Sequence, residues 1–272
     1  MAVPALAEPL NIVTSITPVQ GIVADISAGL QMPELLVPPG VDPHDFTLRP
    51  SQIRALQTAD IIVLMGNGME PWWDGVADQI GADTDVIVLG RLPLIGRRLL
   101  PMRGAQNAFD PHIWLDPDIL QGLGLVLADV LAERDPAGRA RYLANREQMR
   151  SALAAARAEI DAQLAPLAPV QLVMGHDSMQ YFETAFGLQF AGALSDGFGQ
   201  DAGAQSLGAI AAMRGPACLV IDVNEANAQG LALLGDAPVV RLDPLGANLL
   251  ESDNFSASLL RNLAAELRGC AP

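Results

Sequence analysis

Apolar positions fall into two repeating patterns along the chain. Asn11–Ile16, Glu34–Val37, Ile61–Met65 and Asp85–Leu89 are short, apolar and rich in β-branched residues, and Ile61 to Met65 is apolar without a break. An unbroken run of that length is what a parallel strand buried on both faces requires. Helix signals lie between these runs: Pro18 opens a segment toward Gly29, Pro50 opens one through Gln57, and a third runs from about Pro71 to Ile80. Proline at a first helical turn costs no intrahelical hydrogen bond and presets the backbone. A strand at His112 and a helix from Pro117 to Glu133 complete this half. The second half repeats the plan, with strands at Gln171–Met174, Leu188–Leu194, Cys218–Val223 and Pro238–Leu242. Its helices run from after Gly175-His176-Asp177 toward Phe186, near Ser206–Met213, and from a Ser252 cap to about Arg268. Strands alternating with helices predict an α/β fold with parallel sheets in two lobes.

Asp135-Pro136 between the halves reads as a helix start, and good helix formers continue to about Leu164. A helix of that length would extend about 40 Å, more than twice the ordinary helix. The predicted organisation is an N-terminal α/β lobe over 8–134, a long linking helix over 135–165 and a C-terminal α/β lobe over 166–272. Arg91–Asn107 has no period and contains glycines, prolines and arginines. It is expected to be a surface loop, mobile without metal and short of apolar anchors.

Composition narrows the function. Half of the 272 residues are hydrophobic, enough for a substantial core, and the net charge of −15 argues against nucleic acid as a partner. All 16 basic residues are arginine. That excludes Schiff-base chemistry and a phosphate-binding P-loop lysine. No apolar run approaches the roughly 20 residues that span a bilayer. Ala5-Leu6-Ala7 reads as the small-x-small end of a signal peptide, with the mature chain starting near Glu8 and Met1 as an added start. Cys218 and Cys270 are either two buried thiols of a cytosolic protein or one disulfide of an exported one.

The chain has three histidines, and each stands beside an aspartate or an Asp-Pro turn at the end of an element. They occur in Asp42-Pro43-His44-Asp45, Asp110-Pro111-His112 and Gly175-His176-Asp177. His44, His112, His176 and Asp243 all fall at or just after a predicted strand, where open α/β sheets bind ligands. Two come from each lobe. Three imidazoles and one carboxylate suit Zn2+ held in the cleft, with Asp45, Asp116 and Asp177 as acceptors for the imidazole N–H groups. Asp222 and Glu225 compete with Asp243 as the fourth donor. A zinc hydrolase would need Glu70 or Asp45 as general base and an open coordination position, which four protein ligands would close. A purely structural zinc would predict unfolding on chelation. Glu70, just before Pro71, also reads as a carboxylate favoured by a helix N-terminus.

The segments Val41–Ser51, Ala59-Asp60, Gly68-Met69-Glu70, Asp110–Pro117, Gly175-His176-Asp177 and Leu242–Gly246 resemble, in order, the zinc-binding substrate-binding proteins of ATP-binding-cassette importers. The resemblance spans nearly the whole chain. It implies two lobes on a long helix that move little relative to each other, and His44, His112, His176 and Asp243 as ligands. It further implies a periplasmic, monomeric, non-enzymatic protein whose partners are zinc, a membrane permease and, as a further candidate, a zinc metallochaperone. A manganese-binding branch is similar but tends to carry a carboxylate where this chain has His176, so zinc is favoured. Some members pair two cysteines in the last domain, which implies a Cys218–Cys270 disulfide. One departure stands out: many zinc members carry a histidine-rich loop where Arg91–Asn107 has none.

Overall fold

The computed structural model describes residues 9–105, 107–201, 203–223 and 234–271. The leader-like Ala5-Leu6-Ala7 and Glu225 lie outside the described residues. In the first lobe, strands β1 (Ile12–Thr14), β2 (Glu34–Leu35), β3 (Ile61–Leu64) and β4 (Asp85–Val88) form a parallel sheet in the order β2-β1-β3-β4. In the second, β5 (Gln171–His176), β6 (Gln189–Ser195), β7 (Ala217–Asp222) and β8 (Val239–Leu242) are parallel in the order β6-β5-β7-β8. The two sheets therefore share one threading. Helices α1 (Thr17–Ser27) and α2 (Pro50–Thr58) belong to the first lobe, and α5 (Gln180–Phe186), α6 (Ala204–Ala212) and α7 (Phe255–Leu267) to the second. Helix α3 (Pro117–Arg134) leads into the long helix α4 (Arg139–Leu164).

Strand alternation decides which face meets which layer. Ile61 and Val63 point into a core shared by both lobes, whereas Ile62 and Leu64 join a smaller cluster under α2. Leu172 and Met174 enter the shared core, and Val173 a small cluster with Ile210 of α6. Two-sided burial is why these strands read as unbroken apolar runs. The shared core is closed by α4, whose buried positions Tyr142, Asn145, Met149, Leu153, Ala156, Ile160 and Leu164 recur every three or four residues as one helical stripe. That stripe packs on α1, α3 and α7. With 26 residues, α4 is about 39 Å long, so one helix reaches both lobes.

Several elements depart from expectation. The helix of α4 begins at Arg139, because Asp135 Oδ1 instead closes a turn by accepting from Ala137 N and Gly138 N. Asn254, not Ser252, caps α7, and Asp25 of α1 accepts from Phe255 N and Ser256 N of the same helix start. The segment after Pro71 makes two 3-10 turns (Trp73–Gly75 and Ala77–Gln79) in place of a helix, in keeping with its adjacent tryptophans and glycine. Ile113–Leu115 is a buried 3-10 turn and not a strand. Pro111 and Pro117 remove two of the amide donors that a ladder would use. The loop over 91–107 has the apolar anchors it was expected to lack: Ile95 and Met102 are buried, and Leu92, Leu99 and Leu100 pack on the core. A bridge between Pro101 and Phe109 closes its end into a strap. Cys218 of β7 and Cys270, in the turn after α7, form a disulfide.

Candidate metal centre

Three histidines arrive at one point from two kinds of backbone. His44 sits in the loop after β2, and its N–H donates to Asp42 Oδ1 at 2.9 Å. His112 repeats that turn, donating its backbone N–H to Asp110 Oδ1 at 2.8 Å. His176 is the last residue of β5. The imidazole centroids are 5.2 to 6.1 Å apart, and one nitrogen of each ring lies within 4.8 Å of one nitrogen of the others. Among the described residues this is the one group of three or more histidine, cysteine or acidic side chains close enough to share an ion.

Carboxylates set the tautomers of two rings. Asp110 Oδ1 lies 2.8 Å from His112 Nδ1, and Asp222 Oδ2 lies 3.3 Å from His176 Nδ1. With a carboxylate at Nδ1 the proton stays there, and Nε2 carries the lone pair that a metal needs. Burial, reinforced by the two neighbouring imidazoles, lowers His44 from 6.5 to about 4. It is therefore neutral at pH 7. The rings line a cavity of about 360 Å³ together with Trp114, Asp222 and Asp243. Trp114 Nε1 donates to Pro244 O at 2.8 Å, which joins the His112 turn to the segment carrying Asp243.

Asp243 follows β8 on the wall of this cavity, outside the imidazole group. Its Oδ1 accepts from Leu245 N and Gly246 N at 3.2 and 3.0 Å, and its Oδ2 from Ala247 N at 2.8 Å. The first of these bonds is a habit of this sequence. In Asp42, Asp110, Asp116, Asp135 and Asp243 the Oδ1 of an Asp-Pro pair accepts the N–H two residues on. Proline fixes the intervening φ, and the aspartate closes the turn.

The sequence matches the family described as ZnuA, zinc-uptake complex component A periplasmic, over residues 12–268. The chain belongs to that family. A high-affinity zinc uptake system protein ZnuA of Paracoccus denitrificans is 29% identical over 99% of this chain and 94% of its own. A crystal structure of a zinc-bound ZnuA deletion mutant superposes with a TM-score of 0.81 at 27% identity, covering 97% of this chain and 98% of the other. A manganese-binding lipoprotein MntA of Halalkalibacterium halodurans is 30% identical over 68% of this chain and 60% of its own.

Within this ZnuA-family chain the imidazole partners are not those expected. Asp45 is exposed, Asp116 caps α3, and Asp177 pairs with Arg103. Asp110 and Asp222 take the role at His112 and His176 instead. Asp110 was signalled by its place two residues before a histidine across a proline, as in Asp42-Pro43-His44. Asp222 had no local signal, since 46 residues separate it from His176. Glu70 is neither a base in the cavity nor a helix-end carboxylate. Its Oε1 accepts from Ser15 Oγ and Met65 N, and its Oε2 from Gly66 N, pinning the ends of β1 and β3 together. Burial raises its pKa despite these donors.

Proposed function

We propose that this chain is an exported, monomeric protein that captures one Zn2+ between its lobes and hands it to the membrane permease of an ABC importer. His44, His112 and His176 bind the ion, and Asp243 is the fourth donor. The carrying observation is the convergence of three imidazoles, two with Nδ1 held by a carboxylate and the third kept neutral by burial. Neutral imidazole nitrogens in a compact group suit zinc better than manganese, which prefers oxygen donors. Asp243 keeps a free lone pair on Oδ2, which accepts one N–H, and its charge lowers the cost of holding a dication in the cleft.

Residues 8–134 and 166–272 act as the two jaws, and 135–165 as their spine. The core shared across both sheets supports a reading in which the jaws shift little on binding. The periplasm is the compartment that the family description names, and the disulfide fits an oxidising one. Among the described residues no helix is long and apolar enough to cross a membrane. A zinc metallochaperone is a further candidate partner. Binding without catalysis is supported by the positions of Glu70 and Asp45, neither of which lines the cavity. The test of the fourth ligand is Asp243→Ala beside Asp222→Ala. Asp243→Ala should weaken zinc by at least about tenfold, whereas Asp222→Ala removes only the partner of the His176 ring; wild-type affinity in Asp243→Ala would give the fourth position to water.

A further inference from the structure

The strap that follows β4 reaches from the first lobe to the second, and one of its side chains is clamped there. Arg103 donates through Nη1 to Asp177 Oδ1 at 2.8 Å and through Nη2 to Glu183 Oε2 at 2.6 Å. Its guanidinium carbon lies 3.7 Å from the centroid of the Phe190 ring. Both carboxylates are deeply buried, their side chains 6% and 3% exposed. Only a planar fork meets two carboxylates and an aromatic face at once; a lysine offers one point charge and no plane.

What this clamp touches gives it a role. Asp177 directly follows His176, and its N–H donates to Ser195 O of the neighbouring strand. Three residues earlier in the strap, Leu100 N donates to Tyr181 Oη at 2.9 Å, and that hydroxyl donates to Asp110 O at 3.2 Å. Asp110 is the residue whose carboxylate holds both the backbone and the ring of His112. Thus the strap is bonded at one place beside His176 and at another to the holder of His112. One of these histidines belongs to each lobe.

We propose that Arg103 is a positioning residue that fixes His112 and His176 relative to each other and so sets how long zinc is retained. This rests on the three-histidine reading of the site. Where many relatives were expected to carry histidines in this loop, the present chain uses it as a mechanical tie. The strap needs no metal donor for that purpose, and its arginine pairs with two buried acids and does not line the cavity.

The experiment loads the full chain with one equivalent of zinc and follows its release into excess chelator by stopped flow. Cobalt(II) absorption spectra of the same variants report the ligand geometry. Arg103→Ala should release zinc at least about tenfold faster, with a changed cobalt spectrum, and Arg103→Lys should recover part of both. Glu183→Gln, which keeps the Arg103–Asp177 pair, should fall between wild type and Arg103→Ala. Arg150→Ala, on the exposed face of α4, should match wild type in both readouts. Release rates and cobalt spectra of wild type in Arg103→Ala would reduce the clamp to an ordinary ion pair and overturn the proposal. If Arg103→Ala does not fold, Glu183→Gln decides by the same two readouts. One-to-one binding that survives unchanged in His112→Ala would instead remove the three-histidine premise, and the proposal with it.

Discussion

The two lobes thread four strands in the same order, yet they present the proposed ligands differently. In the second lobe His176 ends β5, so the sheet itself aims that ring, and Asp243 directly follows β8. In the first lobe His44 and His112 stand clear of the sheet on Asp-Pro-His turns, each closed by its own aspartate. A sheet strand is held by its neighbours along its whole length, whereas a turn is held by one or two local bonds. The first lobe's ligands should therefore be the more sensitive to single aspartate changes, and the second lobe's to damage in the sheet.

The largest expected effect is loss of a ligand. His112→Ala and His176→Ala should each weaken zinc by more than the roughly 10–100-fold typical of losing an imidazole's hydrogen-bond partner. Competition against a chelator of known affinity reads this directly. Next comes the comparison itself. Asp110→Asn should cost about 10–100-fold, because Asp110 holds both the ring and the backbone of a buried histidine. Asp222→Asn should cost less, since its contact is longer and its side chain is 29% exposed. Equal losses in the two variants would break the proposed difference between turn-held and sheet-held ligands.

A third effect concerns the second lobe alone. The disulfide ties β7, which carries Asp222, to the end of the chain across a separation of 52 residues. Closing a loop of that length contributes roughly 4 kcal/mol in the chain-entropy model, and strain can only reduce it. The double variant Cys218→Ala, Cys270→Ala should lose about 2–4 kcal/mol in urea unfolding while keeping zinc binding at one per chain. Stability equal to that of wild type would show that the sheet holds this lobe unaided.

The smallest effect is a pH dependence of the metal-free protein. His44 has its folded pKa lowered to about 4 from 6.5, so between these values the unfolded chain binds the proton more readily. Stability should be fully present above about pH 6.5 and decline as the pH falls toward 4. Denaturation at several pH values checks the slope, which should flatten in His44→Ala. An unchanged slope would place the titration elsewhere.

Much of this was legible in the sequence for identifiable reasons. Unbroken runs such as Ile61–Met65 announced two-faced strands, and the helix formers from Asp135-Pro136 to about Leu164 announced the long helix, though not its start at Arg139. The three histidines were legible because each stood beside an aspartate at the end of an element. The turn at Ile113–Leu115 was misread as a strand because apolar residues between two prolines satisfy a strand pattern while lacking its donors. Arg103 could not be read from its surroundings, because its partners lie 74 and 80 residues away. The same distance problem hid Asp222. Asp243 is the instructive middle case: its place after a strand was visible, and so was the Asp-Pro pair that makes it a turn-closing residue like Asp116 and Asp135.

The central claim is that one zinc is bound by His44, His112 and His176 together. Titration of the metal-free protein with zinc, in competition with manganese, tests it most directly when run beside the triple variant His44→Ala, His112→Ala, His176→Ala. The account predicts one zinc per chain, bound more tightly than manganese by wild type and lost in the triple variant. Equal affinity for the two ions, or one-to-one zinc binding that survives in the triple variant, would contradict it.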